Sequence, residues 1–314
     1  MTNENFAPQQ TIIEILKTKP RTVSAEIIPP RNGMETQTIF NQIERLRGAG
    51  VDFIAVTKGA GGSLRGGTLP LAQLVRSSFG VCSLAHFTCR DYTKEEIENN
   101  LMDHHYFGIR NILALRGDPP DGQPGYFQPS PNRHTYAYQL VEQIRALNAG
   151  RYLHRDGFDD KNKERTGQPT KFCIGVAAHP EHAPLEQGVE YFQRKIEAGA
   201  QYGITQMLFS ADPYKRFVEA LAKRGLNVPI LPGVRIITSA QTAERMRNKF
   251  SDVSIPDSLI EKLTKAHSKE AAREVGMNAT LELCQELLKA GAPGIHIFVM
   301  SDTGSACELI SALR

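Results

Sequence analysis

Short apolar runs recur along the chain, each bounded by polar or glycine-containing segments. They are VSAEII (23–28), FIAVT (53–57), VCSLAHFT (81–88), NILALR (111–116), CIGVAA (173–178), QMLFS (206–210), PILPGV (229–234) and GIHIFVM (294–300). Runs of this length read as buried strands. Between them the period changes to that of a helix. TIFNQIERLRGAG (38–50) sets Ile39, Ile43 and Leu46 on one stripe and ends on glycine, a usual helix stop. TKEEIENNLMDHHYFG (93–108) opens with Thr93 and Glu96, the spacing of a capping box. LRGAG, IEAGA and LKAGA (46–50, 196–200 and 288–292) each precede a strand, as helix ends that turn back toward the next parallel strand.

Eight such β–α alternations predict an α/β chain folded as one (β/α)8 TIM barrel spanning residues 1–314, with a doubly wound sheet as the structural alternative. Two segments depart from the alternation. Residues 151–171 (RYLHRDGFDDKNKERTGQPTK) are polar and aperiodic, an exposed insertion before the fifth strand. Residues 256–290 hold more helix than one crossover needs, so an extra helix is expected outside the barrel.

Composition narrows the class. The chain has 314 residues, 40% hydrophobic and 23% charged, enough to bury a large core. A formal charge of +3 argues against nucleic acid or an anionic membrane as partner. The opening MTNENFAPQQ is polar and unlike a signal peptide, and no apolar run approaches spanning length. Five scattered cysteines without a C-x-x-C pair read as reduced packing residues, so a cytoplasmic protein without a metal cluster is expected.

In a barrel the carboxyl ends of the strands form the working face. There stand Glu26, Thr57-Lys58-Gly59, His86, Arg116-Gly117-Asp118, the AAHPEH segment (177–182) and Gln206, placed at the opening of the sixth strand. Glu26 lies between Ala25 and Ile27, where burial without a partner is costly and should raise the carboxyl pKa, as a general acid requires. A structural salt bridge is the other reading. His86, between Ala85 and Phe87, reads equally as a satisfied core histidine or a cofactor hydrogen-bonder. KGAGGSLRGG (58–67) lacks the G-K-[ST] ending and the G-x-G-x-x-G spacing, and reads as an active-site loop. HPEH (179–182) has too few neighbouring ligands for a metal, and DHHYF (103–107) reads as a solvated helix face.

Together these strand ends resemble the methylenetetrahydrofolate reductase family. Glu26 with Pro29-Pro30 is similar to that family's E-F-F-P-P motif, and VTKGAGGS (56–63) to its V-T-Y-G-A-G-G-S. AHFTC (85–89) resembles H-L-T-C, and NILALRGDPP (111–120) matches the fourth-strand signature. GVAAHPEHAP, EAGAQYGITQMLF and ILPGV follow in the family's order. The sequence departs from the pattern at Lys58, where relatives have tyrosine, at His179 and Ala183, and at Asp302, where an arginine is usual.

The resemblance implies non-covalent FAD, and reduction of 5,10-methylenetetrahydrofolate to 5-methyltetrahydrofolate with NADH or NADPH as donor. The hydride would pass through flavin N5 in a ping-pong sequence, with Glu26 as general acid toward N10. Asp118 would tune the flavin and stabilise a cationic folate intermediate, and Gln206 would face the pterin. Thr57, Ala60, His86, Leu115, Arg116, Gly117, Asp118, Tyr136, Ala137, Ala177, His179, Arg194 and Lys195 match the family's FAD-contact positions. Gly117 would let the backbone approach the planar ring. Substrate contacts would be Glu26, Asp118 and Gln206. A small-molecule substrate is the partner this implies, and a homo-oligomer is compatible with it. Two other readings stand beside it: an electron-transfer subunit fed by a protein redox partner, with Lys58 and 151–171 at the interface, and a flavin-free pterin-binding methyltransferase barrel.

Overall fold

The computed structural model describes residues 9–30, 33–59, 66–90, 92–118, 131–154, 165–250 and 252–314. The chain opens with α1 (Ile12–Thr18), then alternates β1 (Thr22–Ile27), α2 (Gln37–Ala49), β2 (Phe53–Val56), α3 (Thr68–Ser77), β3 (Cys82–Thr88), α4 (Lys94–Tyr106), β4 (Asn111–Leu115) and α5 (Ala137–Asn148). A short pair, β5 (Arg151–Tyr152) and β6 (Arg165–Thr166), precedes β7 (Cys173–Ala178), α6 (Leu185–Ala198), β8 (Tyr202–Leu208), α7 (Asp212–Lys223) and β9 (Ile230–Val234). Three helices follow, α8 (Ala240–Lys249), α9 (Asp257–Lys265) and α10 (Lys269–Lys289), before β10 (Gly294–Phe298) and α11 (Thr303–Leu313).

Eight parallel strands close in the order β1-β10-β9-β8-β7-β4-β3-β2, so the expected (β/α)8 barrel is the fold. Alternation along each strand sorts its side chains. Val23, Ala25 and Ile27 of β1 join the large core beneath the helices. Phe53, Ala55, Leu84, Leu113, Cys173, Tyr202, Ile204 and Leu231 form a second, interior cluster. Gly175 is required there, because a Cβ would stand 2.3 Å from the Tyr202 ring.

The interior cluster is completed by Ile12 and Ile15 of α1. Thr11 starts that helix with a full capping box to Glu14. Asn111, the first residue of β4, then anchors it: its Oδ1 accepts from Ile12 N at 2.9 Å and its Nδ2 donates to Gln10 O at 3.1 Å. Gln9 holds Ser83 from both sides, donating to its carbonyl and accepting from its amide. These bonds seat α1 across the amino-terminal mouth of the barrel.

Two expectations change. The sixth barrel strand begins at Tyr202, four residues before the apolar run QMLFS, because Tyr202 and Ile204 point into the interior cluster and pair with β7. Gln206 therefore lies near the carboxyl end of that strand instead of opening it. The 151–171 insertion precedes the fifth barrel strand as expected, with β5 and β6 pairing antiparallel at its base, while residues 155–164 lie outside the described residues. DHHYF is not wholly a solvated face. His104 is buried, its Nδ1 2.6 Å from Asn100 O and its ring edge-on to Phe87. The helical surplus near 256–290 is as expected, lying between β9 and β10 as α9 and α10. All five cysteines are free thiols. Among the described residues no helix is long and apolar enough to cross a membrane.

Candidate active site

At the carboxyl-terminal mouth, ionisable groups replace the apolar interior. Ser24 and Glu26 alternate with the outward-facing Val23, Ala25 and Ile27, so both point into the barrel. Closure of the sheet sets β1 against β10, pairing Ser24 with His296 in register. The Ser24 Oγ lies 2.9 Å from His296 Nδ1. His86 comes from β3, one strand beyond β2. Glu26 Oε2 is 3.3 Å from His86 Nε2 and 3.5 Å from His296 Nε2. Both Nε2 atoms are buried and, among the described residues, neither completes a well-aimed hydrogen bond. Thr57 Oγ1, at the end of β2, is likewise buried without a hydrogen-bond partner among them.

The electrostatics correct one expectation. Burial raises the Glu26 carboxyl, but the adjacent charge of His86 and the contact and charge of His296 outweigh it, so its pKa lies below the ordinary range. His86 moves down as well, because burial disfavours the imidazolium more than Glu26 favours it. Glu26 thus lies against two imidazoles that favour its ionised form.

Around this cluster the other expected residues take defined places. Lys195 of α6 donates to Ala177 O at 2.8 Å, tying that helix to the end of β7. Burial, with the neighbouring charge of Arg116, brings its ammonium down to about 8. Arg194, on the outer face, is exposed and pairs with Glu190 one turn back. Tyr136 precedes α5, is exposed, and stacks on Tyr138 at 5.6 Å, while Ala137 begins the helix. His179 Nδ1 stands 2.9 Å from Asp252 Oδ2, which lowers the Asp252 pKa and fastens the HPEHAP segment to the chain before α9. Gln206 turns its Oε1 back onto Met207 N at 3.0 Å. Leu115 closes β4, and Arg116, Gly117 and Asp118 follow it at the mouth. Gly117 has φ +95°, and a Cβ would lie 3.1 Å from Arg90 Cβ, so backbone conformation itself demands glycine. Ala60 lies outside the described residues. No group of three or more His, Cys, Asp or Glu that could hold a metal occurs among the described residues, HPEH included.

A family model, methylenetetrahydrofolate reductase, matches residues 11–314. The chain belongs to the methylenetetrahydrofolate reductase family. It is 28% identical over 306 residues to the 5,10-methylenetetrahydrofolate reductase of Salmonella typhimurium, covering 95% of this chain and 92% of that protein. It is 30% identical over 292 residues to methylenetetrahydrofolate reductase 1 of Schizosaccharomyces pombe, covering 89% of this chain but 44% of the relative. The chain thus spans a little under half the length of the eukaryotic relatives. Among solved structures, an uncharacterised Clostridium thermocellum protein that binds two copies of 5-methyl-5,6,7,8-tetrahydrofolic acid superposes with TM-score 0.60 at 17% identity, covering 96% of this chain and 98% of that one. That likeness shows the barrel.

Within the barrel, the sequence pattern had not singled out His296. Its signal was present: His296 interrupts GIHIFVM as His86 interrupts SLAHFT, an ionisable ring inside an apolar strand. Lys58 also reads differently in three dimensions. It follows the inward-facing Thr57 and turns outward, its ammonium 4.4 Å from the Tyr92 ring centre and 5.2 Å from that of Phe87. Asp302 does not stand open at the mouth either. It caps α11, accepting from Ser305 N at 3.0 Å and Ser305 Oγ at 2.7 Å.

Proposed function

We propose that this chain reduces 5,10-methylenetetrahydrofolate to 5-methyltetrahydrofolate in the cytoplasm, with bound FAD and with NADH or NADPH as donor. The observation that carries the reading is the Glu26–His86–His296 cluster at the mouth of a barrel of this family. The mouth also suits a flavin dinucleotide. Thr57 Oγ1 is a buried polar atom left for a ligand to satisfy. Lys195 beside Arg116 supplies positive charge for a diphosphate. When bound, FAD supplies a two-electron carrier between the nicotinamide and the folate carbon.

The chain's own residues supply the rest. Glu26 delivers a proton to N10 of the folate, and the five-membered ring opens. The Asp118 carboxylate, set at the mouth just after β4, stabilises the cation that results. Gln206, near the end of β8, faces the pterin. The test is anaerobic stopped-flow on the purified chain. The oxidised-flavin band should bleach with NADH or NADPH and return on adding methylenetetrahydrofolate. A colourless protein would remove FAD from the reading. A yellow one that neither nicotinamide bleaches would require a protein donor.

A further inference from the structure

A second charged side chain reaches the same mouth without a counterion. Arg235 follows Val234, the last residue of β9. Leu231 and Gly233 of that strand face the barrel interior: Leu231 belongs to the interior cluster, and a Cβ on Gly233 would meet the Phe298 ring at 2.5 Å. The alternation of the strand therefore brings Arg235 to the inner wall. Register fixes its height. Val234 pairs with Ile297 of β10, which sets Arg235 level with Phe298, and Phe298 is in register with Glu26 of β1. Carboxyl, aromatic ring and guanidinium thus stand in one layer on three adjacent strands.

Arg235 is half-buried, and among the described residues no carboxylate stands against it. Burial, and then the charge of Arg245 on α8, lower its pKa. A guanidinium stays protonated all the same, so it bears both desolvation and like-charge repulsion. The acids of this region are engaged elsewhere: Glu26 with two imidazoles, Asp302 with Ser305, and Asp252 with His179. An anion arriving on a reactant would relieve both costs. We propose that Arg235 binds a carboxylate of the folate's glutamate, so that Glu26, Phe298 and Arg235 meet N10, the aminobenzoyl ring and the glutamate in turn. That is the order of these groups along the folate itself. Two strand spacings, about 9–10 Å, match the reach of a benzoylglutamate from its amine to its carboxylate. The guanidinium fork holds such a carboxylate through two parallel N–H bonds.

The inference rests on the proposed folate reduction, and its test is equilibrium binding, which needs no turnover. Anaerobic calorimetry on the holoprotein compares tetrahydrofolate with tetrahydropteroate, the same molecule without its glutamate. Arg235→Leu should weaken tetrahydrofolate about tenfold to a hundredfold and leave tetrahydropteroate within about twofold of wild type. Equal losses for both ligands would mean that the substitution distorts the mouth, and no loss that the guanidinium stays with solvent; either overturns the proposal. A loss confined to NADH or NADPH, read from the concentration dependence of flavin bleaching, would give Arg235 to a dinucleotide phosphate and overturn it too. Arg235→Gln, which keeps a polar stem, carries the same expectations should the leucine variant fail to fold. Wild-type protein that binds tetrahydrofolate but reduces no methylenetetrahydrofolate would overturn the functional reading alone, and one that binds neither ligand would overturn both.

Discussion

Glu26 shows how one residue's surroundings decide its chemistry. An isolated buried carboxyl would be neutral at rest. With two imidazoles within 3.5 Å of one oxygen its pKa is instead lowered, so burial alone does not decide its charge. Glu26→Gln keeps the shape but cannot give up a proton. It should retain FAD and its reduction by the donor, while the folate half-reaction falls about 10²- to 10⁴-fold; a near-native folate rate would exclude Glu26 as the acid. Gly117 is governed by its backbone. At φ +95° an alanine would cost about 1–2 kcal/mol, before any contact of its Cβ with Arg90. Urea unfolding of Gly117→Ala should show that loss, and an unmoved midpoint would contradict the backbone argument.

At the scale of elements, α4 and β3 meet through a histidine that must stay neutral. Burial holds His104 down at about 4 from an ordinary 6.5, while Phe87 covers its ring. The unfolded chain therefore binds this proton more readily than the native one. The contribution is complete above the unfolded value and is lost as pH falls toward the folded one, a change of about 3 kcal/mol. His104→Gln should flatten this part of the acid limb. Between about pH 7 and about pH 4 its unfolding free energy should fall by about 3 kcal/mol less than that of the wild type; equal falls would show that His104 stays solvated. The same element marks a boundary of what can be read from sequence. Thr93 and Glu96 announced the start of α4 correctly, because capping is local. The burial of His104 beside the half-exposed His105 depends on which face β3 and Lys58 cover, and no local pattern states that. Likewise Tyr-Gly-Ile-Thr hid the first half of β8, since its apolar members alternate with a glycine and a hydroxyl.

For the molecule as a whole, the barrel was legible because eight apolar runs alternate with helices that end in similar glycine-containing turns. Glu26, Thr57 and His86 were legible as polar side chains near the carboxyl ends of strands, while Gln206 was placed at the wrong end of its strand, and parity turns Glu26 inward as the cluster requires. His296 was harder to place, since its partnership with Glu26 exists only once the last strand closes against the first, across some 270 residues of chain. Closure also has a consequence at the opposite pole. With α1 bolted over the amino-terminal end by Asn111, and the interior beneath it filled by side chains, ligands approach the ionisable cluster from the carboxyl-terminal mouth. On the proposed activity both reactants would reach the flavin from the carboxyl-terminal mouth, and the spent nicotinamide would leave by the way the folate enters. The far end is structural by contrast: seven residues of helix floor an interior that Phe53, Leu84 and Tyr202 already fill.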